Sequence, residues 1–360
     1  MNLTSPQAGD PDGYTILGAG AIGGTLAWHL ARSGHRVVIV DLDTDHVRAI
    51  REHGVRLRRD DQTLPQPVSA ALTPDEVQEP LRRVLLAVKA HATDGAARWL
   101  APRLAPDGFV VSLQNGLNEA VIAQHIGQQR TVGAFVDLFA DIIEPGVISD
   151  GGAGALAVGE LIGDISPRVR QLVADLQAWG PALATANVTG YLWSKLGFGA
   201  MLTATALADA PMAELLHRHR VTAHTLATEI FTVAGAAGIK LEPFDAFEPR
   251  AYTPSASVVD SDAATDRLVE WLSTQAKDRS GIWRDIALHH RPTEIPTHYA
   301  PVLALADNHA IPVPLLRALL GQLAEVETDP TSMAESRLAH LDTLAHGGTQ
   351  QSVETTMVHQ

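Results

Sequence analysis

The sequence predicts an α/β domain built on a parallel sheet, followed by an all-α domain. Short apolar runs alternate with segments of helical periodicity up to about residue 188, and a glycine-rich turn follows the first run. From residue 189 the chain is alanine-rich and has helical spacing only. We therefore predict a flexible tail at 1–12, a first domain at 13–188, a helical domain at 189–327, and a tail at 328–360 that contains one helix, 333–345.

The first element is an apolar run at residues 14–17, followed at once by a G-x-G-x-x-G segment and a helical pattern. Gly18 permits the turn out of the strand, Gly20 lets backbone N–H groups approach a pyrophosphate, and Gly23 allows the helix to pack closely on the strand. Because a strand and a helix flank the motif, we interpret it as a Rossmann-type dinucleotide-binding turn; a purely structural turn is the alternative. The predicted cofactor-binding residues here are Gly18, Gly20, Ala21, Ile22 and Gly23.

The second apolar run, Val37 to Val40, ends in Asp41. A carboxylate at this point would accept hydrogen bonds from the adenosine ribose hydroxyls and would repel a 2′-phosphate. No Arg or Lys follows directly, since the next four residues are Leu-Asp-Thr-Asp. The sequence therefore favours NAD(H), with NADP(H) as the alternative cofactor; a solvated strand end is the structural alternative for Asp41.

Two further buried strands are predicted at residues 84–88 and 109–113, and polar residues follow both. Lys89 follows the first, and Asn115 comes directly after the second. Ligands bind at the carboxyl ends of strands in open α/β sheets, so we predict that Lys89 and Asn115 contact cofactor and substrate. Either residue alone could also be a turn residue.

The helical domain contains a lysine in an apolar segment, W-S-K-L at 193–196. At the head of an apolar helix, Lys195 would be partly desolvated, and its ammonium group could polarise a carbonyl and deliver a proton. A lysine that snorkels from a helix end is the alternative. Glu294 precedes a predicted helix at 298–308, so it would either hydrogen-bond substrate or Lys195, or act as a helix-start charge.

Composition excludes several classes of function. The chain has 360 residues, a formal net charge of −14 and no cysteine. The acidic balance argues against nucleic acid or an anionic membrane as partner, and cysteine nucleophiles, disulfides and cysteine metal sites are excluded. No apolar run has membrane-spanning length, and the histidines form no metal-ligand pattern. We expect a cytoplasmic protein that acts on a small molecule and holds no metal.

Taken together, the motifs resemble those of the ketopantoate reductase (2-dehydropantoate 2-reductase) family over residues 14–325. The matching segments are GAGAIG at 18–23, the strand before Lys89, QNGL at 114–117, W-S-K-L at 193–196, SGIWRD at 280–285 and TEI at 293–295. The resemblance implies a Rossmann domain joined to a helical domain like the C-terminal domain of 6-phosphogluconate dehydrogenase. It also implies substrate in the cleft between them and a homodimer formed through the helical domain.

The resemblance also implies a role for each site residue. Lys195 would be the general acid that protonates a carbonyl oxygen as hydride arrives, and Glu294 would help hold the nascent hydroxyl. Asn115 would contact cofactor and substrate, and Lys89 would lie near the nicotinamide ribose.

The substrate pocket departs from the family pattern. Pantoate-forming members carry asparagines four and eight residues after the lysine, where this chain has Gly199 and Thr203; Gly281 replaces a serine, with Ser280 adjacent. We therefore predict an NAD(P)-dependent reductase or dehydrogenase of a 2-oxo acid, related ketone or the matching hydroxy compound, other than ketopantoate. A genuine 2-dehydropantoate 2-reductase of coenzyme A biosynthesis and a redox-inactive dinucleotide-binding sensor are the alternatives. The predicted substrate-binding residues are Lys89, Asn115, Lys195, Gly199, Thr203, Ser280 and Glu294.

Overall fold

The computed structural model describes residues 13–78, 80–275 and 277–357, so the tail predicted at 1–12 lies outside the described residues. The chain divides into two compact units, Met1–Thr189 and Gly190–Gln360. The first unit is α/β and the second is helical, which confirms the predicted fold class. None of the helices in the described ranges is long and apolar enough to cross a membrane.

The first unit is built on one ten-stranded sheet. Its strands are β1 Tyr14–Leu17, β2 Val37–Val40, β3 Val55–Arg59, β4 Gln62–Gln66, β5 Ala70–Leu72, β6 Leu81–Leu86, β7 Leu104–Ser112, β8 Thr131–Glu144, β9 Val147–Glu160 and β10 Ala182–Ala184. The order is β4-β3-β9-β8-β7-β6-β1-β2-β5, with β10 also paired to β9. The pairs β3–β4 and β8–β9 are antiparallel, and all other pairs are parallel.

Helices cover both faces of this sheet. They are α1 Ala21–Arg32, α2 Thr44–His53, α3 Thr93–Leu100, α4 Glu119–Ile126 and α5 Pro167–Leu176. Alternate side chains of the central strands β1, β2, β6 and β7 enter opposite cores. Ile16 of β1 packs in the core that includes residues of α1 and α5, and Leu17 packs in the core that includes residues of α3 and α4. The continuous apolar runs of the sequence therefore reflect strands that are buried on both faces.

Two strand predictions need small corrections. β6 ends at Leu86, so Lys89 lies three residues beyond it, where the chain enters a short 3₁₀ turn. The run predicted as a strand from residue 182 to 188 is extended only over β10, and a helix starts at Val188. Thr185 and Val188 are β-branched and favour a strand locally, but Val188 is the first residue of a helix.

The second unit consists of helices. They are α6 Val188–Thr205, which starts at the end of the first unit, α7 Met212–Arg218, α8 Arg220–Ala236, α9 Val258–Ser273, α10 Gly281–Ala287, α11 Ile295–Asn308, α12 Pro314–Thr328 and α13 Glu335–Met357. Close packing of α6 on α8 requires a glycine, because a Cβ at Gly197 would lie 2.3 Å from the Phe231 ring. Glu229 of α8 accepts hydrogen bonds from the backbone N–H groups of Leu315 and Leu316 in the first turn of α12.

The segment predicted as a C-terminal tail contributes to the helical unit. The helix expected at 333–345 is the first half of α13, and its Leu338 and Leu341 are fully buried. His219 contacts Asp342 through Nδ1 (2.6 Å) and Glu335 through Nε2 (3.1 Å), which joins the start of α8 to α13. Residues 335–345 are therefore part of this unit and not a separate tail.

Candidate active site

Four neighbouring parallel strands end at one edge of the sheet, and the predicted cofactor residues follow them. Gly18 follows β1, Asp41 follows β2, Lys89 follows β6 and Asn115 follows β7. β1 lies between β2 on one side and β6 on the other, so the strand order reverses there. In open α/β sheets the crevice at such a reversal is the usual ligand-binding position.

Two glycines of the motif, one in the loop after β1 and one in the first turn of α1, are required by close contacts. Gly18 has φ +94°, and a Cβ on it would lie 2.8 Å from the Val88 nitrogen. A Cβ on Gly23 would lie 2.0 Å from the Gly18 carbonyl oxygen. The chain therefore makes a tight turn between β1 and α1, and this turn packs against the residues that follow β6.

The third glycine leaves space for a ligand. The nearest atom to a Cβ built on Gly20 would be Ile142 Cδ1, at 4.0 Å. Gly20 is the N-cap of α1, it has no side chain to cap the helix, and the first turn of α1 contains no acidic residue. An anion is stabilised by the N–H groups and dipole at such a helix start. The loop therefore fits a dinucleotide pyrophosphate.

The Asp41 carboxylate is held by two backbone donors. Oδ2 accepts from the Ala19 N–H at 2.7 Å and Oδ1 accepts from the Asp43 N–H at 2.9 Å. Each carboxylate oxygen has a second lone pair. Asp41 is half-buried and Leu42 beside it is exposed. This carboxylate can accept hydrogen bonds from a ribose diol, and it fits the adenosine end of NAD(H).

A polar network connects the segments that carry Lys89 and Asn115. Gln114 donates from Nε2 to the Val88 carbonyl (2.9 Å) and to Thr93 Oγ1 (2.7 Å), and Asn118 donates to the Asn115 carbonyl (2.7 Å). These bonds bring the two loops together. Sequence reasoning did not assign Gln114, Thr93 or Asn118, although Gln114 lies directly before Asn115 in the motif.

A buried carboxyl follows this network. Glu119, at the start of α4, is 6% exposed, and burial raises the pKa of its carboxyl to about 7. A group with such a pKa changes its charge near neutral pH. Sequence reasoning also missed Glu119, since a single acid at a helix start is an ordinary feature.

In the helical unit, Lys195 is half-buried and lies two turns into α6, not at its head. The helix passes through Gly190, because one glycine weakens a helix by only about 1 kcal/mol, and the Ser194 hydroxyl donates to the Gly190 carbonyl. Gly199 and Thr203 follow Lys195 at helical spacing on the same face of α6. The structure therefore places these three predicted residues together.

Tyr299 of α11 contacts α6 close to this face. Its hydroxyl donates to the Leu196 carbonyl at 2.8 Å, and a Cβ on Gly199 would lie 3.1 Å from it. The Thr203 hydroxyl donates to the Gly199 carbonyl at 2.7 Å. Both hydroxyl protons are therefore used within the protein. Sequence reasoning missed Tyr299, because nothing in its local pattern shows which helix it contacts.

The remaining two predicted residues stand at helix starts. Glu294 is the N-cap residue of α11, and the preceding Thr293 donates from its N–H and its hydroxyl to Glu327 of α12. Since α11 contacts α6 through Tyr299, Glu294 and Lys195 lie on contacting helices. The buried Ser280 is the N-cap of α10, where its Oγ accepts from the Trp283 N–H at 3.2 Å.

Two family models match the chain. One is described as ketopantoate reductase PanE/ApbA and matches residues 14–163, and the other is the C-terminal domain of the same family and matches residues 187–327. Together they cover most of the chain and both of its units.

Individual proteins give the same result. A 2-dehydropantoate 2-reductase of Halobacterium salinarum is 27% identical over 320 residues, covering 87% of this chain and 98% of the relative. The crystal structure of a PanE/ApbA family ketopantoate reductase from Ralstonia eutropha has a TM-score of 0.72 at 28% identity, covering 88% and 98% of the two chains. D-mandelate dehydrogenase, solved with NADH and anilino(oxo)acetate, has a TM-score of 0.75 at 20% identity over 88% and 98%, which is a likeness of fold.

Proposed function

The chain belongs to the ketopantoate reductase family and is an NAD(P)-dependent oxidoreductase of CH–OH and C=O groups; on this basis we propose that it prefers NAD(H) and acts on a 2-oxo acid or related ketone other than ketopantoate. The observation that carries the substrate proposal is the face of α6 beside Lys195. One turn after Lys195, Gly199 leaves the backbone of α6 without a side chain. One turn further, the Thr203 hydroxyl donates to the Gly199 carbonyl. Because the family consists of oxidoreductases, we favour an active enzyme over a redox-inactive dinucleotide-binding sensor.

The cofactor preference is supported by Asp41. Its two oxygens are oriented by the Ala19 and Asp43 N–H groups, so the charge is fixed where ribose hydroxyls would bind. A 2′-phosphate at this place would be repelled by the carboxylate, and the exposed neighbour Leu42 offers no positive charge. Gly18, Gly20, Ala21, Ile22 and Gly23 would hold the pyrophosphate, and Lys89 and Asn115 the nicotinamide end.

When bound, the nicotinamide supplies or accepts a hydride. The protein's part is to move a proton, and we assign this to Lys195: its Nζ donates a proton to the carbonyl oxygen in reduction and accepts it in the reverse direction. Glu294 would accept a hydrogen bond from the new hydroxyl. A half-buried lysine in an apolar helix can present its ammonium group to a bound carbonyl.

The substrate proposal follows from which hydrogen-bond groups α6 offers. Because Tyr299 and Thr203 are buried and both donate to carbonyls of α6, neither hydroxyl is presented to a substrate on this face. A pocket that lacks side-chain amides on this face gains little from a polar substituent on the substrate. We therefore expect an apolar substituent to be preferred over the hydroxymethyl group of ketopantoate.

A matched pair of substrates tests this proposal. Ketopantoate and 3,3-dimethyl-2-oxobutanoate differ only in the 4-hydroxyl, and each is assayed with NADH and with NADPH. We expect kcat/KM with NADH to be higher for the dehydroxy compound by about tenfold. A preference for ketopantoate of that size would reject the proposal.

The second candidate is a genuine 2-dehydropantoate 2-reductase. It is favoured by the name of the Halobacterium salinarum relative and by Ser280, whose buried hydroxyl has its proton available for a carboxylate. In that case Ser280 and Thr203 would replace the missing groups, and Ser280→Ala would raise the KM for ketopantoate. A homodimer and a cytoplasmic location stay predictions; sedimentation velocity tests the first.

A further inference from the structure

A closed ring of hydrogen bonds holds Ala19 in the glycine-rich loop. The Ala19 N–H donates to Asp41 Oδ2 at 2.7 Å, and the Ala19 carbonyl accepts from His46 Nε2 at 2.9 Å. The His46 N–H donates to Asp43 Oδ1 at 3.0 Å, and the Asp43 N–H donates to Asp41 Oδ1 at 2.9 Å, which closes the ring. The β1–α1 loop, the end of β2 and the first turn of α2 are thereby joined.

The hydrogen-bond partners of the His46 ring define which of its two nitrogens carries the proton. The side chain is buried, and Nδ1 accepts from the Gly146 N–H at 3.1 Å, in the turn between β8 and β9. A backbone N–H can only donate, so Nδ1 carries no proton and Nε2 of the neutral ring carries it. The ring nitrogen that faces Ala19 is therefore a donor, and Gly146 fixes this tautomer.

The orientation of one peptide group follows from this bond. A trans peptide is planar, so the Ala19 carbonyl and the Gly20 N–H point in opposite directions. With the carbonyl held on His46, the Gly20 N–H points away from α2. The space beside Gly20 is open, since a Cβ there would have Ile142 Cδ1 at 4.0 Å as its nearest atom.

We propose that His46 is a positioning residue for the cofactor: it orients the Gly20 N–H toward the dinucleotide pyrophosphate, and Gly146 holds it in the required tautomer. This inference rests on the proposed role of the glycine-rich loop as cofactor site. His46 itself needs no contact with the cofactor. A residue of this kind raises affinity by preorganising a donor before the ligand arrives.

Two substitutions separate the two bonds of the imidazole. His46→Gln keeps a donor near the Nε2 position and loses the acceptor for Gly146, whereas His46→Asn keeps an acceptor near Nδ1 and loses the donor for Ala19. Dissociation constants for NADH and NADPH are measured by fluorescence titration of the full chain, together with thermal melting. We expect H46N to raise the Kd of the preferred cofactor about tenfold and H46Q to change it less than about threefold.

His29→Asn is the matched control, because His29 is a buried histidine of α1 in the same unit, and its Nδ1 contacts the carbonyl of Ala178, just after α5, and not the glycine-rich loop. It should lower the melting temperature and leave the Kd unchanged. A folded H46N that binds as tightly as the unsubstituted chain would overturn the inference, as would an H46Q weakened as much as H46N. An unsubstituted chain that binds neither dinucleotide would instead refute the proposed cofactor site.

Discussion

The glycine-rich loop and the Lys195 face of α6 are built over very different distances along the chain. The loop is closed by hydrogen bonds among Ala19, Asp41 and His46, which span at most 27 residues. The α6 face depends on the Tyr299–Leu196 hydrogen bond, which spans 103 residues. Changes in the loop should therefore alter cofactor affinity with the fold intact, whereas changes beneath α6 should alter stability and substrate preference together.

Lys195→Ala should have the largest effect and should separate chemistry from cofactor binding. Loss of the proton donor is expected to lower kcat/KM by about 10³-fold. The Kd for NADH should stay unchanged, because the loop residues proposed to bind it are intact. Lys240→Ala, another lysine of the helical unit, is the control. Steady-state kinetics and NADH titration check both; a K195A enzyme with near-normal turnover would reject the mechanism.

Two neighbouring glycines of α6 test whether packing and pocket are separate on this helix. Gly197→Ala places a Cβ 2.3 Å from the Phe231 ring and should lower the free energy of unfolding by about 2–3 kcal/mol. Gly199→Ala meets only the Tyr299 hydroxyl at 3.1 Å and should lower it by less than about 1 kcal/mol. The second change should still alter the preference between the two test substrates. Chemical denaturation and kinetics measure this; equal destabilisation by both would contradict the assignment.

A pH series tests another long-range contact of the helical unit. Burial raises the pKa of Glu229 from 4.5 to about 7, although two N–H groups of α12 donate to its carboxylate. Between these values the folded chain keeps a proton that the unfolded chain releases, so the free energy of unfolding falls as pH rises from about 4.5 to 7, by about 3 kcal/mol.

Glu229→Gln should remove that part of the pH dependence while keeping an acceptor for α12. Urea unfolding at several pH values between 4.5 and 7 checks it. An unchanged slope in E229Q would show that another group, such as Glu119, causes the pH dependence.

Asp41→Asn should have the smallest effect and should act on cofactor choice alone. The amide keeps one acceptor oxygen and loses the negative charge, so the ratio of the NADH and NADPH dissociation constants should move about tenfold toward NADPH. Asp45→Asn, an exposed acid of the same segment that pairs with Arg48, is the control. Separate titrations with the two cofactors measure the ratio, and an unchanged ratio would refute the role of Asp41.

Local features made much of the N-terminal unit predictable. Gly18, Gly20, Gly23 and Asp41 lie at the ends of apolar runs, and parallel strands place such ends on one edge without further information. The same reasoning located Lys89 and Asn115, although β6 ended earlier than expected. It did not predict the residues that position these loops, because Gln114 and His46 acquire their roles through contacts with other loops, which a local pattern does not show.

Local sequence patterns predicted the main strands and helices along the chain, the position of the glycine-rich turn, and the lysine and small residues of α6. The periodicity of the sequence carries this information because backbone hydrogen bonds and burial act on neighbouring residues. The tertiary structure was needed to show that α6 extends seven residues before Lys195, that Tyr299 contacts Leu196, and that a Cβ would meet the Phe231 ring at Gly197 but the Tyr299 hydroxyl at Gly199. Two glycines two residues apart look alike in a sequence, and they differ only in which helix lies opposite each of them.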